Sequence, residues 1–140
     1  MKKAIVLLSV LFYTSLSVLA QTTPPAPPVN PNAPILFIEE TLFDYGTIEM
    51  DANGVHNFIF KNIGKEPLVL SNVQSSCGCT VPTWPREPLM SGQQDTIVVK
   101  YDTHRLGRFN KTISIFSNAQ KPLVVVRIQG EVIAKAAPLQ

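Results

Sequence analysis

The sequence is poor in the residues that build metal and redox centres, since its 140 residues include only two cysteines and two histidines. A structural zinc site usually takes four Cys or His ligands, and the spacing of His56 and His104 places neither histidine beside the cysteines. The sequence also lacks a Gly-x-Ser-x-Gly elbow, a phosphate-binding glycine loop and a Cys-x-x-Cys motif. We therefore predict that the protein is not an enzyme and that it needs no cofactor.

The first residues have the layout of a secretory signal peptide. A basic pair, Lys2 and Lys3, precedes an apolar run that is shorter than the roughly 20 residues a membrane-spanning helix prefers. Small residues then precede Gln21 at the spacing that a cleavage site requires. We predict that residues 1–20 are a signal peptide, that the protein is periplasmic or secreted, and that no membrane span remains after cleavage. The alternative is an anchor that stays in the membrane.

Charge is low and balanced. Charged residues make up 16% of the chain, and the formal net charge is +2. Removal of Lys2 and Lys3 with the signal peptide takes the 12 basic residues to ten, which equals the ten acidic residues. Nucleic-acid binding needs a basic stripe or basic residues interleaved with aromatic ones, and the sequence has neither. Nucleic acid is therefore excluded as a partner.

Proline dominates the segment after the predicted cleavage point, which includes the run TTPPAPPVNPNAP. Proline at this density favours an extended polyproline II path and cannot join a helix or a central strand. We interpret residues 21–34 as a proline-rich linker, with a free N-terminal tail as the alternative. Residues 35–135 then remain for one domain with a modest core, followed by a short tail, residues 136–140.

No part of this domain has a sustained helical period. It contains short β-branched and aromatic runs that are separated by Gly, Pro and Asn. The predicted strands are Ile35–Ile38, Leu42–Ile48, Val55–Asn62, Leu68–Val73, Asp95–Tyr101, Phe109–Asn118 and Lys121–Ala134. About seven short strands with regular turn signals predict an all-β fold, a single immunoglobulin-like antiparallel β-sandwich.

Apolar residues at alternate positions of these strands are the predicted core, because side chains two apart point to the same face of a sheet. The predicted core residues are Phe58, Phe60, Leu68, Leu70, Ile97, Val99, Ile113, Ile115 and Val125.

Several stretches between Phe43 and Val132 resemble a known bacterial family. They are FDYGTI, FIFKNIGKEPLVLSNVQSSCGCTVP, WPREPLMSGQQDTIVVKYDT, GRFNKTISIFSNA and IQGEV. Together they resemble the domain of unknown function 1573 family (DUF1573), which is similar to Hydin-type and pilus-chaperone-like immunoglobulin folds. The resemblance implies an exported sandwich domain and brings no established activity. One departure is Ser91, where the family usually has proline before the glycine at position 92.

Cys77 and Cys79, with Gly78 between them, are the main candidate site. Residues two apart on a strand have Cα atoms roughly 6.6 Å apart, whereas a disulfide favours about 5.5–6 Å. Gly78 shortens this distance if its φ is positive, and exported proteins meet oxidising conditions. Four interpretations stay open: a structural or reversible disulfide, reduced thiols in a structural turn, ligands for a soft metal such as copper or zinc, and disulfide exchange.

Trp84 is the second candidate, because it lies between Pro82 and Pro85 in a long loop after the cysteines. An exposed Trp on a sandwich loop can anchor a protein partner. The alternative is that Trp84 folds back over the open end of the sandwich.

Two hypotheses about function follow. The first is an exported, non-enzymatic immunoglobulin-like module of the bacterial cell envelope. It binds an envelope protein by strand addition or through end loops, or it is structural. The second is a thiol-dependent redox partner or a soft-metal binding protein that uses Cys77 and Cys79.

We expect the exported protein to begin at Gln21, because the basic start, the short apolar run and the small residues before Gln21 define a cleavage site. Mass spectrometry of the protein recovered from the envelope fraction measures this directly. Intact Met1 in a membrane pellet would contradict the prediction and would make the proline-rich segment a stalk.

Overall fold

The structure of the protein is a computed structural model that describes residues 30–136. The predicted signal peptide, most of the proline-rich linker (residues 21–29) and residues 137–140 of the predicted tail lie outside the described residues.

The described part of the chain forms eight β-strands. They are β1 (Leu36–Ile38), β2 (Leu42–Glu49), β3 (Val55–Asn62), β4 (Leu70–Ser75), β5 (Thr80–Thr83), β6 (Gln94–Tyr101), β7 (Gly107–Ser117) and β8 (Leu123–Ile133). The period of two is clearest in β3, where Phe58 and Phe60 are buried while Ile59 between them is exposed. Residues 30–136 contain no helix long and apolar enough to cross a membrane.

The strands form two four-stranded sheets around one core, in the orders β1-β3-β6-β5 and β2-β8-β7-β4. Paired strands are antiparallel except for β2 and β8, which run parallel. The chain changes sheet at each connection from β1 to β5 and again between β6 and β7. This architecture confirms the predicted all-β, immunoglobulin-like sandwich.

The sequence predicted about seven strands, and the eighth is β5. Its residues, Thr80–Thr83, lie at the start of the segment that we interpreted as a proline-rich loop. Pro82 has no N–H to donate and is excluded from a central strand, but β5 lies at the edge of its sheet, where proline is tolerated.

Eight of the nine predicted core residues are buried, and Val125 is the exception with 46% of its surface exposed. Val124 and Val126 face inward instead, because they lie opposite Ile115 and Ile113 of β7. Residues directly opposite in an antiparallel pair share a face, so Val125, opposite Ser114, faces outward. The prediction for Val125 was wrong because β8 is apolar on both faces at this point.

Asn62, the last residue of β3, is fully buried and connects three segments. Its side-chain nitrogen donates to the carbonyl oxygens of Glu66 (2.8 Å) and Leu89 (3.0 Å). Its side-chain oxygen accepts from the N–H groups of Gly64 (3.0 Å) and Ile35 (3.4 Å). Since a buried amide is costly without partners, this network fixes the turn after β3, the start of β1 and the loop before β6.

We expect Phe60→Ala to lower the free energy of unfolding by about 3–5 kcal/mol, because the side chain is 1% exposed and its removal leaves a cavity. Val125→Ala is the matched control, and its cost should stay below about 0.5 kcal/mol because Val125 faces solvent. Denaturant titration measures both values. A loss near zero for Phe60→Ala would mean that the side chain of Phe60 does not point into the core.

Candidate functional site

Cys77 and Cys79 lie in the turn that carries the chain from β4, which ends at Ser75, to β5, which begins at Thr80. Their Sγ atoms form a disulfide, and their Cα atoms are 5.3 Å apart. The turn leaves the edge of one sheet and enters the edge of the other, so the disulfide lies at one end of the sandwich.

Hydrogen bonds hold this turn from both sheets. The Ser75 hydroxyl lies within hydrogen-bonding distance of the carbonyl oxygens of Cys77 and Thr80 (2.7 Å to Thr80). The Ser76 N–H donates to Thr112 of β7, and the Asp102 N–H donates to the carbonyl oxygen of Cys79, each over 2.9 Å. Each half of the turn is therefore attached to a different sheet.

Gly78 does not have the conformation that the sequence suggested. The described glycines with positive φ are Gly46, Gly92 and Gly107. The two cysteines approach because residues 77–80 form a tight turn, in which the Thr80 N–H donates to the Cys77 carbonyl oxygen (3.4 Å). A Cβ atom at Gly78 would meet nothing within 4 Å. Neither backbone strain nor lack of space therefore requires glycine here. The effect of Gly78 is to leave this position of the turn without a side chain.

The two sulfur atoms differ in their surroundings. Cys79 is 5% exposed and belongs to the core, whereas Cys77 is only partly buried against it. Oγ1 of Thr80, which is itself buried, lies 3.8 Å from Sγ of Cys77 and 3.9 Å from Sγ of Cys79. A nucleophile from solvent would therefore meet Cys77 first.

A cleft of about 590 Å³ opens beside the disulfide. Its walls come from the β2–β3 loop, the disulfide turn and the β6–β7 loop, and they include Ala52, Asn53, Gly54, Val55, Gly78, Cys79, Val81, Lys100, Tyr101, Asp102, Thr103 and His104. Gly54 is required in this wall, because a Cβ atom there would collide with the carbonyl oxygen of Tyr101.

Three of the titratable groups around the cleft are affected by a neighbour or by burial. The Arg105 side chain (3.1 Å) and the His104 N–H (3.2 Å) hold the pKa of Asp102 below its usual value. Burial raises the pKa of Tyr101, so its hydroxyl stays protonated at neutral pH. His104 pairs with Asp51 over 2.8 Å.

The second candidate residue, Trp84, is partly buried and packs against the core cluster. The guanidinium carbon of Arg86 lies 4.0 Å from the centre of its ring. The indole Nε1 is buried and has no hydrogen-bond partner. The ring of Trp84 therefore contacts the buried core and is not a freely exposed side chain.

Of the two histidines, His104 lines the same cleft as Cys79, although its spacing in the sequence did not suggest this, whereas His56 does not line it. His56 pairs with Glu40 over 2.9 Å and stacks on Phe43 with ring centres 3.6 Å apart. Within residues 30–136 there is no group of three or more His, Cys, Asp or Glu side chains that could hold a metal ion.

Sequence reasoning missed Thr80 and the β6–β7 loop as parts of this site. The loop residues Asp102 and His104 lie more than 20 positions from the cysteines, and no local pattern connects them. They meet because Thr80 of β5 pairs with Tyr101 of β6. The only local signal was the small polar side chain directly after Cys79.

A protein-family model described as "Protein of unknown function (DUF1573)" matches residues 36–132 of the chain. This range includes all of β1 to β7 and most of β8. No curated protein matches the chain.

Several solved structures share the fold. A protein of unknown function from Porphyromonas gingivalis W83 is 19% identical with a TM-score of 0.65, over 76% of this chain and 50% of that one. The present chain thus spans about half of that protein. The seventh PapD-like (ASH) domain of human CEP192 is 11% identical with a TM-score of 0.64, over 87% of this chain and 99% of that domain. The secreted serine protease VesC from Vibrio cholerae is 18% identical with a TM-score of 0.55, over 74% of this chain and 24% of the protease. At these identities the similarity concerns the fold alone.

We expect reduction of the disulfide to lower the free energy of unfolding by about 1.5 kcal/mol or less, because a bond between residues two apart closes only a very short loop. Urea titration with and without a phosphine reductant measures the difference. The double variant Cys77→Ser, Cys79→Ser is the control, and its unfolding should not respond to the reductant. Complete unfolding on reduction without urea would contradict the prediction.

Proposed function

The chain belongs to the DUF1573 family, and on that premise we propose that it is an exported, non-enzymatic binding module of the bacterial cell envelope. The module binds a partner protein by taking an extended partner segment as an added strand at the free edge of β4. One observation carries the proposal. Among the sheet edges in residues 30–136, β4 alone has more than four residues and lacks proline and charged side chains, the features that oppose pairing with another chain at the other edges. Its pairing with β7 has one register shift, between Leu70 and Asn72, and is regular beyond it.

The other three edges carry such features. β1 has only three residues, and β5 contains Pro82, which cannot donate a hydrogen bond. β2 carries the charged residues Asp44 and Glu49, and its pairing is interrupted at Gly46, where φ is +63°. A partner strand would meet a short, interrupted or charged edge at each of these places.

The edge of β4 differs in sequence and in pairing. Leu70–Ser75 contains neither proline nor a charged residue. Immediately before it, Leu68 exchanges two backbone hydrogen bonds with Leu89, over 2.9 and 2.8 Å. The next residue, Val69, forms hydrogen bonds with Asn118, which follows β7. Because the backbone groups of successive residues point to opposite sides, those of Leu68 point away from β7, and Leu89 lies on that side. This side of the chain therefore already accepts an antiparallel partner residue at the start of β4.

The backbone groups available to a partner follow from the pairing with β7. The Ser76 N–H donates to Thr112 of β7. Since the N–H groups of successive strand residues point alternately to the two sides, those of Val73 and Ser75 face the open edge. The exposed Gln74 lies between them on the outer face of the sheet.

Export and tethering are supported by the sequence. The first 20 residues have the layout of a signal peptide, and the proline-rich segment after them would extend about 40 Å at roughly 3.1 Å per residue. Such a spacer would let the sandwich reach partners in the envelope.

The test is site-specific photo-crosslinking in cells. A photoreactive side chain at position 74 lies beside the open edge, whereas the same side chain at Asn57 lies in the middle of the other sheet and is the matched control. We expect a crosslinked partner from position 74 and none from position 57. Adding Gln74→Lys to the protein should cut co-purification of that partner by about tenfold or more, because lysine on an edge opposes strand addition.

Hydrogen exchange of the purified complex then distinguishes strand addition from another contact at the same place. Partner binding should slow exchange of the Val73 and Ser75 amides, because these N–H groups gain acceptors. Unchanged exchange at both amides, or crosslinking from position 57 in place of position 74, would contradict the proposal.

The alternative function is the thiol-dependent one, and the only partly buried side chain of Cys77 favours it. Both sulfurs take part in the disulfide, so a soft metal could bind them only after reduction to thiolates. The double variant Cys77→Ser, Cys79→Ser separates the two functions. A strand-binding module keeps its partner in this variant, and a thiol-dependent protein loses its function.

A further inference from the structure

We propose that the Cys77–Cys79 disulfide is a covalent exchange site, at which a cysteine thiolate of another protein attacks Sγ of Cys77 and forms a reversible mixed disulfide. The inference deepens the thiol-dependent alternative by naming the attacked sulfur, the leaving group and the chemistry of the partner. It does not depend on strand addition at β4.

Access to the disulfide is one-sided. Cys79 is 5% exposed, whereas Cys77 is only partly buried and follows the exposed Ser76. The exposed Gly78 adds no side chain to the turn. The cleft is lined by Gly78 and Cys79 and not by Cys77, so an attacking group reaches Cys77 from the solvent side of the turn and not through the cleft. An incoming thiolate therefore has a path to the sulfur of Cys77 and little access to that of Cys79.

The surroundings of Cys79 suit a leaving group. Its carbonyl oxygen accepts from the Asp102 N–H over 2.9 Å, and its side chain belongs to the core, so it stays in place when the disulfide breaks. The Thr80 hydroxyl lies 3.9 Å from its sulfur, close enough to turn and donate to a thiolate. Burial in the core disfavours the Cys79 thiolate, whereas a hydrogen bond from Thr80 to the charged sulfur stabilises it and offsets part of that cost. A more stable thiolate leaves faster.

The exchange needs no added oxidant. A new S–S bond forms between the partner sulfur and Cys77, the Cys77–Cys79 bond breaks, and the electron pair of that bond remains on Cys79 as a thiolate. In the reverse step the Cys79 thiolate attacks Cys77 and expels the partner thiolate. Because Cys79 is held two residues away, this return step is intramolecular and releases the partner without help from another protein.

The attacking group must be a thiolate, because the thiolate and not the thiol is the nucleophile in disulfide exchange. The partner chemistry is therefore an exposed protein cysteine that is ionised near neutral pH.

Reduced glutathione is the probe for the test. The full chain is incubated with it under native conditions, quenched with iodoacetamide and mapped by tandem mass spectrometry. We expect glutathione on Cys77 together with a carbamidomethyl group on Cys79, in about tenfold or greater excess over the reverse arrangement, because access is one-sided. The same reaction in denaturant is the control, and there the two arrangements should form in similar amounts. Equal amounts in the native protein, the reverse arrangement or no adduct would each overturn the proposal.

A variant at Gly78 tests the path of attack. Gly78→Leu should leave the urea midpoint unchanged, since a Cβ atom there meets nothing within 4 Å. It should slow adduct formation several-fold, because the side chain would stand beside the disulfide. Asn57→Leu, an equally exposed change on the distant face, should not alter the rate. An unchanged rate in Gly78→Leu would overturn attack beside position 78, while crosslinking from position 74 would be unaffected by either result.

Discussion

The buried amide of Asn62 is the interaction on which the rest of the sandwich depends. Its four side-chain hydrogen bonds join the start of β1, the turn after β3 and the loop before β6, which are far apart in sequence. The turn after β3 lies so close to the start of β1 that position 64 must be glycine, because a Cβ atom there would collide with the backbone beside Ile35. An amide in the core is stable only when all of its partners are present, so these segments are ordered together or not at all.

The same anchor determines how much of the β4 edge stays open. Leu89 accepts a hydrogen bond from Asn62 and pairs with Leu68, so the loop between β5 and β6 is drawn to the start of β4. Earlier in this loop, Trp84 packs against the core. The loop is joined to the start of β4 by a single backbone bridge, and Leu70–Ser75 keeps its outward N–H and C=O groups without a partner strand in the described part of the chain.

The candidate site was predictable in its position but not in its construction. Period two and the turn signals place Cys77 and Cys79 where one strand ends, and their spacing allows a disulfide. The role given to Gly78 was wrong, because the tight turn, and not a positive φ, brings the cysteines together. The neighbours that make the sulfurs unequal, Thr80 and Asp102, meet only through the pairing of β5 with β6.

The sequence by itself determined the class of the fold, the buried faces of β3, β6 and β7, and the place of the cysteines, because side-chain alternation and turn chemistry are local properties of the chain. Only the tertiary structure decided that Val125 faces solvent, that Pro82 belongs to an edge strand and that β4 is the unprotected edge. These facts depend on strand order and register. Hydrogen bonds between distant segments fix both, and a run such as Leu123–Val126, which is apolar on both faces, is compatible with more than one register.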